Sequence, residues 1–316
     1  MRKIVLLHLC LALSLATCAK NKSSSISFNS SKPIVAVTIV PQKTIVQAIA
    51  KDDFSVLVMV PPGYSPENYE PKPKNLALFS KAKLYFSIGM PNEKNQIIPS
   101  LQKNTILVDL QKEIEQYYPH RILEEHHHHH KDDKKKHRHS SNTHHDSHAH
   151  HVMVDPHIWL SPKRAIKMTQ IICTNLQALV NDPQKQEEYA ANADEFIARI
   201  KEVDKKISLL VKSMPLKTFY VFHPAFGYFA DEYGLTMISL EKDGKESTAK
   251  HLAAVSFEAK RMGAKKIFYQ SEIDSQQTKA FATEIGGKSV MLDPLSSDFP
   301  NNLLEIAKEI SSSFEL

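Results

Sequence analysis

Residues 184–212 read QKQEEYAANADEFIARIKEVDKKISLLVK. Tyr189, Ala193, Phe196, Ile200, Val203, Ile207 and Leu210 recur in steps of four and three, so they line one face of an unbroken α-helix. At 1.5 Å per residue, a helix over 184–213 is about 40 Å long. A rod of that length can bridge two lobes and hold them a fixed distance apart.

The sequence on either side supplies the lobes. Before the rod, Ser161-Pro162 is a helix start, and Ala165, Met168, Ile172, Leu176 and Leu179 mark a second amphipathic helix ending at Asn181-Asp182-Pro183. Further out, short apolar runs at Ile34 to Val40, Ser55 to Val60, Leu84 to Ile88 and Thr105 to Leu110 alternate with helical stretches. Past the rod the pattern repeats at Thr218 to Phe222, Thr236 to Ser239, Lys266 to Tyr269 and Ser289 to Leu292. Two such series predict an α/β chain of two lobes with mostly parallel sheets. The expected boundaries are an N-terminal lobe over 32–183, the linking helix over 184–213 and a C-terminal lobe over 214–316. A chain of 316 residues is long enough to bury two cores.

Hydrophobic residues make up 42% and charged residues 24%, the balance of an ordinary globular protein. The formal charge of +5 is mild, and no block of lysines alternates with aromatics, so nucleic acid is not an expected partner. Arg2 and Lys3 precede an apolar run from Ile4 to about Ala16. That run falls short of the roughly 20 residues that cross a bilayer, and residues 1–18 read as an export signal. Leu15-Ala16-Thr17-Cys18 is similar to the box at which bacterial lipoproteins are cut and lipidated. A periplasmic protein and one anchored on the outer side of the cytoplasmic membrane are both consistent with it. Residues 19–31, rich in serine and lysine, read as a flexible tether. Of the three cysteines, Cys10 and Cys18 belong to the signal, and Cys173 falls on the apolar face of a helix as a buried thiol.

Residues 124–151 differ in kind. They hold twelve of the seventeen histidines: His126, His127, His128, His129, His130, His137, His139, His144, His145, His148, His150 and His151. Lysine, aspartate and serine fill the gaps, and a stretch with so little apolar content is expected to be a disordered loop. An internal, irregular tract does not read as a purification tag. Neutral imidazole binds zinc, copper and nickel, so the tract offers many weak, interchangeable metal sites.

A single defined site needs convergent side chains, and four segments stand where strands end. They are Pro61 to Pro71, Asp155 to Pro162, His223 to Phe229, and Leu292-Asp293-Pro294-Leu295. Each has an ordinary reading alone: a hydrogen-bonded structural histidine at His157 or His223, a surface carboxylate at Glu67, a turn or cap at Asp293. Ligands of open α/β sheets nevertheless bind beyond the carboxyl ends of strands, and two segments from each half can meet in one cleft.

These segments resemble the zinc- and manganese-specific solute-binding proteins of bacterial ABC importers, the ZnuA-like cluster A-I. The resemblance runs from Lys32 to Phe314. Its carriers are Gly63-x-Ser65-Pro66-x-x-Tyr69-Glu70-Pro71, Asp155-Pro156-His157-x-Trp159-Leu160-Ser161-Pro162, His223-x-Ala225-Phe226-Gly227-Tyr228-Phe229 and Leu292-Asp293-Pro294-Leu295. The long linking helix and the histidine-rich loop accompany them.

The resemblance implies a metal site of Glu67, His157, His223 and Asp293 in the interlobe cleft. The family usually has histidine where this chain has Glu67. It further implies a monomeric receptor that takes its ion to an ABC permease of the inner membrane. Zinc is the expected ion, with manganese as the alternative because two carboxylates join two imidazoles; an adhesin or storage role is a more distant one. Asp155 is expected to orient His157. Glu272, Asp274 and His251, near strand ends of the second lobe, read first as ordinary surface or helix-cap groups, with outer contacts to the metal site as the alternative; Glu246 lies in a loop before a helix, where nothing in the sequence supports a role in permease docking. With no His-Glu-x-x-His and no Gly-x-Ser-x-Gly, a hydrolase, and enzyme activity generally, is not expected.

Overall fold

The computed structural model describes residues 31–123, 153–241, 248–272 and 276–315. The signal, nearly all of the tether, the twelve histidines of 124–151, Glu246 and Asp274 therefore lie outside the described residues.

The N-terminal lobe contains β1 (Ile34–Val37), α1 (Val40–Ala50), β2 (Ser55–Val58), α2 (Pro73–Phe79), β3 (Ala82–Ser87), β4 (Ile106–Asp109) and α3 (Leu110–Glu115). A two-residue hairpin follows, β5 (Ile122–Leu123) and β6 (Met153–Val154), and then α4 (Pro162–Leu179). Next comes the rod, α5 (Pro183–Ser213). The C-terminal lobe contains β7 (Thr218–Val221), α6 (Gly227–Tyr233), β8 (Thr236–Ser239), α7 (Ala249–Met262), β9 (Lys266–Gln270), α8 (Gln276–Glu284), β10 (Lys288–Leu292) and α9 (Phe299–Ser311). All eight expected strands are present, each within three residues of its expected ends. The β5–β6 pair was not expected.

The two large sheets are four-stranded and parallel throughout, in the orders β2-β1-β3-β4 and β10-β9-β7-β8. Read from its own first strand, each lobe places its second strand on one side and its third and fourth on the other. The two lobes thus share one topology, whose direction reverses beside β1 and beside β7. Loops leaving the carboxyl ends at such a reversal form the crevice where α/β proteins bind ligands. β1 reads Ile-Val-Ala-Val with no polar residue because helices cover both faces of its sheet.

α5 holds both lobes. Asp182 caps it by accepting from the backbone N–H of Gln184 at 2.9 Å, and Pro183 at the first turn has no N–H to satisfy. Tyr189, Ala193, Phe196, Ile200, Val203 and Ile207 are all buried. The helix packs on α1 and α4 of the first lobe and on α9 of the second. One apolar cluster consequently runs from Val35 and Phe86 through Trp159 and Phe196 to Phe268 and Ile310. Smaller clusters lie on the far face of each sheet, around Tyr85 and Phe79 in one lobe and Tyr220 and Phe281 in the other. Cys173 is a buried free thiol beside this core, as its spacing implied.

Polar groups close the seam between lobes. Ser161 Oγ donates to Glu232 on α6, and Trp159 Nε1 donates to the carbonyl of Pro294 at 2.8 Å. Within the first lobe, Glu93 accepts from the backbone N–H groups of Ile88, Gly89 and Met90 and from the hydroxyls of Thr38 and Tyr85. That carboxylate fixes the turn leaving the carboxyl end of β3. Burial pushes its pKa up, and the hydrogen bonds from Thr38, Ile88, Gly89 and Tyr85 pull it partway back.

Candidate metal centre

Glu67 sits nine residues beyond β2. Gly63 turns the chain with φ +83°, a conformation that suits glycine, and the N–H of Tyr69 returns to the carbonyl of Ser65 at 3.0 Å. Asn92 Nδ2 ties the far end of the loop down by donating to the Tyr69 carbonyl at 2.9 Å. The Glu67 carboxylate is thereby turned into the cleft.

His157 precedes a short 3-10 turn (Ile158–Leu160) and is buried. Its backbone N–H donates to Asp155 Oδ1 at 2.9 Å, and its Nδ1 lies 2.8 Å from the same oxygen. Asp155 therefore contacts both the backbone and the ring of His157. His223 stands two residues past β7, also buried, with Nδ1 2.6 Å from Glu241 Oε2. Glu241 was not singled out in the sequence, because it belongs to none of the four motifs. Its one signal is position: β7 and β8 pair Val221 with Ser239, so residues 223 and 241 leave the sheet side by side.

With a carboxylate on each Nδ1, both rings direct Nε2 to a common point. His157 Nε2 and His223 Nε2 lie 3.8 Å and 3.1 Å from Glu67 Oε1, and the ring centroids are 5.4 Å apart. Among the described residues, Glu67, His157 and His223 are the one group of three or more His, Cys, Asp or Glu whose donor atoms all lie within 4.8 Å of one another. Tetrahedral zinc with bonds of about 2.0–2.2 Å separates its ligands by roughly 3.3–3.6 Å, so this spacing admits the ion with shifts below an ångström. Burial favours neutral His223, yet hydrogen bonds and charge from Glu241 and Glu67 outweigh it and raise the pKa to about 9. Burial likewise opposes ionised Glu67, but His223 and the nearby His157 hold its pKa below the usual carboxylate value.

The remaining expectations fare differently. Asp293 follows β10 directly but is not in the convergent group; its Oδ1 accepts from the N–H of Leu295 at 2.9 Å. An Asp-Pro pair closes its own turn readily, and this contact occupies one carboxylate oxygen. His251 reaches the carbonyl of Ser239 at 3.4 Å, and Glu272 takes the hydroxyl of Ser271 at 2.8 Å; neither joins the group.

Two lobes of like topology thus meet at a histidine–carboxylate cluster beyond their strand ends. Residues 35–312 match the family model described as ZnuA, zinc-uptake complex component A, periplasmic, and the chain belongs to that family. It is 29% identical over 265 residues to the zinc-binding protein AdcA of Streptococcus pyogenes serotype M1, covering 83% of this chain and 50% of AdcA. It thus spans about half the length of that relative. The high-affinity zinc uptake system protein ZnuA of Bacillus subtilis is 29% identical over 268 residues, covering 83% of this chain and 78% of that one. A crystal structure of ZnuA superposes with a TM-score of 0.75 at 28% identity, over 90% of this chain and all of that one. A ZnuA deletion mutant solved with zinc bound gives 0.74 at 29% identity, over 90% and 99% of the two chains. No helix among the described residues is long and apolar enough to cross a membrane.

Proposed function

We propose that this chain is an exported receptor that captures zinc outside the cytoplasm and delivers it to an ABC permease in the inner membrane. The observation that carries the reading is the meeting of Glu67 Oε1 with the Nε2 atoms of His157 and His223, each imidazole braced from behind by a carboxylate. Ligand histidines so braced are fixed in tautomer and more basic toward the ion. The relatives named for zinc binding and zinc uptake favour the same cargo. Asp293 completes the shell as the fourth ligand in this reading, through the carboxylate oxygen that does not accept from the Leu295 N–H. The histidine-rich segment serves in this reading as a low-affinity reservoir.

The decisive experiment is metal analysis of the signal-free chain after dialysis, followed by competitive titration with zinc and manganese. One tightly held zinc per chain, resistant to manganese and lost in His223→Ala, is the expected result. Retention of tight zinc by His223→Ala would overturn the site. A second reading, a manganese receptor, has one observation in its favour: Glu67 supplies oxygen where the family usually has imidazole nitrogen, and oxygen-rich shells suit manganese. Preference for manganese in the same titration would establish it.

A further inference from the structure

We propose that Arg121 is a positioning residue for this metal site, a strut that fixes Asp155 and through it the imidazole of His157; the proposal rests on the receptor reading above. Arg121 lies immediately before β5, outside every motif. Its backbone N–H donates to Tyr228 Oη at 3.0 Å, and its carbonyl accepts from the Asp155 N–H at 2.8 Å. Its Nη1 donates to both oxygens of Asp231 on α6, at 2.8 and 2.9 Å. Between these anchors its Nε passes 3.5 Å from Asp155 Oδ2. One side chain thus runs from the hairpin of the first lobe to a helix of the second, past the carboxylate that holds a metal ligand.

Asp155 requires such a neighbour. It is completely buried, and Oδ1 is committed to the backbone and ring of His157. Oδ2 has no hydrogen-bond partner among the described residues and faces the Arg121 guanidinium instead. A buried carboxylate without a compensating cation is costly and tends to move or neutralise. The second observation is Gly227. A Cβ there would stand 2.2 Å from Arg121 Nε and 2.8 Å from Asp155 Oδ2. The glycine within the His223 motif therefore leaves the room through which the arginine reaches both acids.

The test measures tight-site zinc affinity by chelator competition in the full chain, together with the metal-free melting temperature. The variants are R121A, R121K, D231N, D155N, the R121A/D155N double variant and His223→Ala. R121A is expected to weaken affinity about tenfold, within the usual range for groups behind a ligand histidine. R121K keeps the charge but cannot span both acids, so it and D231N should lose less. They also preserve the test if R121A does not fold. In the D155N background R121A should change affinity by no more than about twofold, the mark of two residues acting through one contact. A lower melting temperature with parental affinity in R121A, R121K and D231N alike would overturn the strut, as would the same tenfold loss in both backgrounds. Loss of tight binding in His223→Ala alongside such a result would leave the receptor reading standing. Retention in His223→Ala would remove both.

Discussion

Each imidazole of the cleft is held from behind, His157 by Asp155 and His223 by Glu241, at 2.8 and 2.6 Å. Glu241→Gln should therefore weaken tight zinc binding by about 10- to 100-fold with little change in fold, checked by chelator competition and circular dichroism. Glu67→His should widen the preference for zinc over manganese, because it replaces an oxygen donor with an imidazole nitrogen; an unchanged ratio in competitive titration would remove Glu67 from the shell. Without metal, the Glu67–His223 pair ties stability to pH. The histidine's raised pKa stabilises fully below its unfolded value of 6.5, and that contribution disappears as pH rises through about 9. The carboxylate's lowered pKa stabilises fully above 4.5 and loses its contribution as pH falls through the lowered value. The metal-free protein should thus gain most from this pair between 4.5 and 6.5. Glu67→Gln should flatten that part of the melting-temperature profile. At this scale His157, His223 and Asp155 were legible because each lies in a motif at a strand end. Glu241 and Arg121 were not, since their partners are 18 and 34 residues away in sequence and only the folded sheet edges bring them together.

Parallel strands with helices between them leave a strong trace in sequence, because strands buried on both faces become short apolar runs and amphipathic helices keep a 3.6-residue period. That is why eight strands and α5 could be read directly. β5 and β6 are two residues each, too short for any period to register, and their pairing is fixed by the fold around Asp155 and Arg121. Turn chemistry is equally opaque where it depends on close approach. A Cβ on Gly287, in the turn from α8 to β10, would stand 2.3 Å from the carbonyl oxygen of Lys265. Because that neighbour is backbone, Gly287→Ala should cost about 1–3 kcal/mol, read as a lower midpoint in denaturant. Glu93→Gln should cost a similar amount, about 1–3 kcal/mol, since an amide nitrogen would face N–H groups that the carboxylate now accepts. Thermal melts at neutral pH would reveal it.

At the scale of the molecule, the expectation of two α/β lobes joined by a helix matches the structure, but the apolar continuity between them was not legible. Period and spacing report which face of a helix is buried, not what it is buried against. α5 touches helices of both lobes, and one cluster passes from β1 to α9 without a break. Interiors packed in this way resist graded deformation. The metal-free protein should therefore unfold in a single cooperative transition, with calorimetric and van't Hoff enthalpies equal. Zinc should leave the radius of gyration unchanged in small-angle scattering; a marked contraction on loading would contradict the shared core. The make-up of the cluster follows from the same geometry: Glu67 and His157 come from one lobe and His223 from the other, so neither half holds it alone.

Trp159 is the only tryptophan in the chain, and its ring stands 5.3 Å from that of His157 while its indole nitrogen holds the Pro294 carbonyl beyond β10. The molecule thus carries a single native fluorophore against the histidine–carboxylate cluster and across the seam of its two halves. Red-edge excitation, which leaves the tyrosines dark, isolates its emission, so occupancy of the cleft can be followed optically in unlabelled protein.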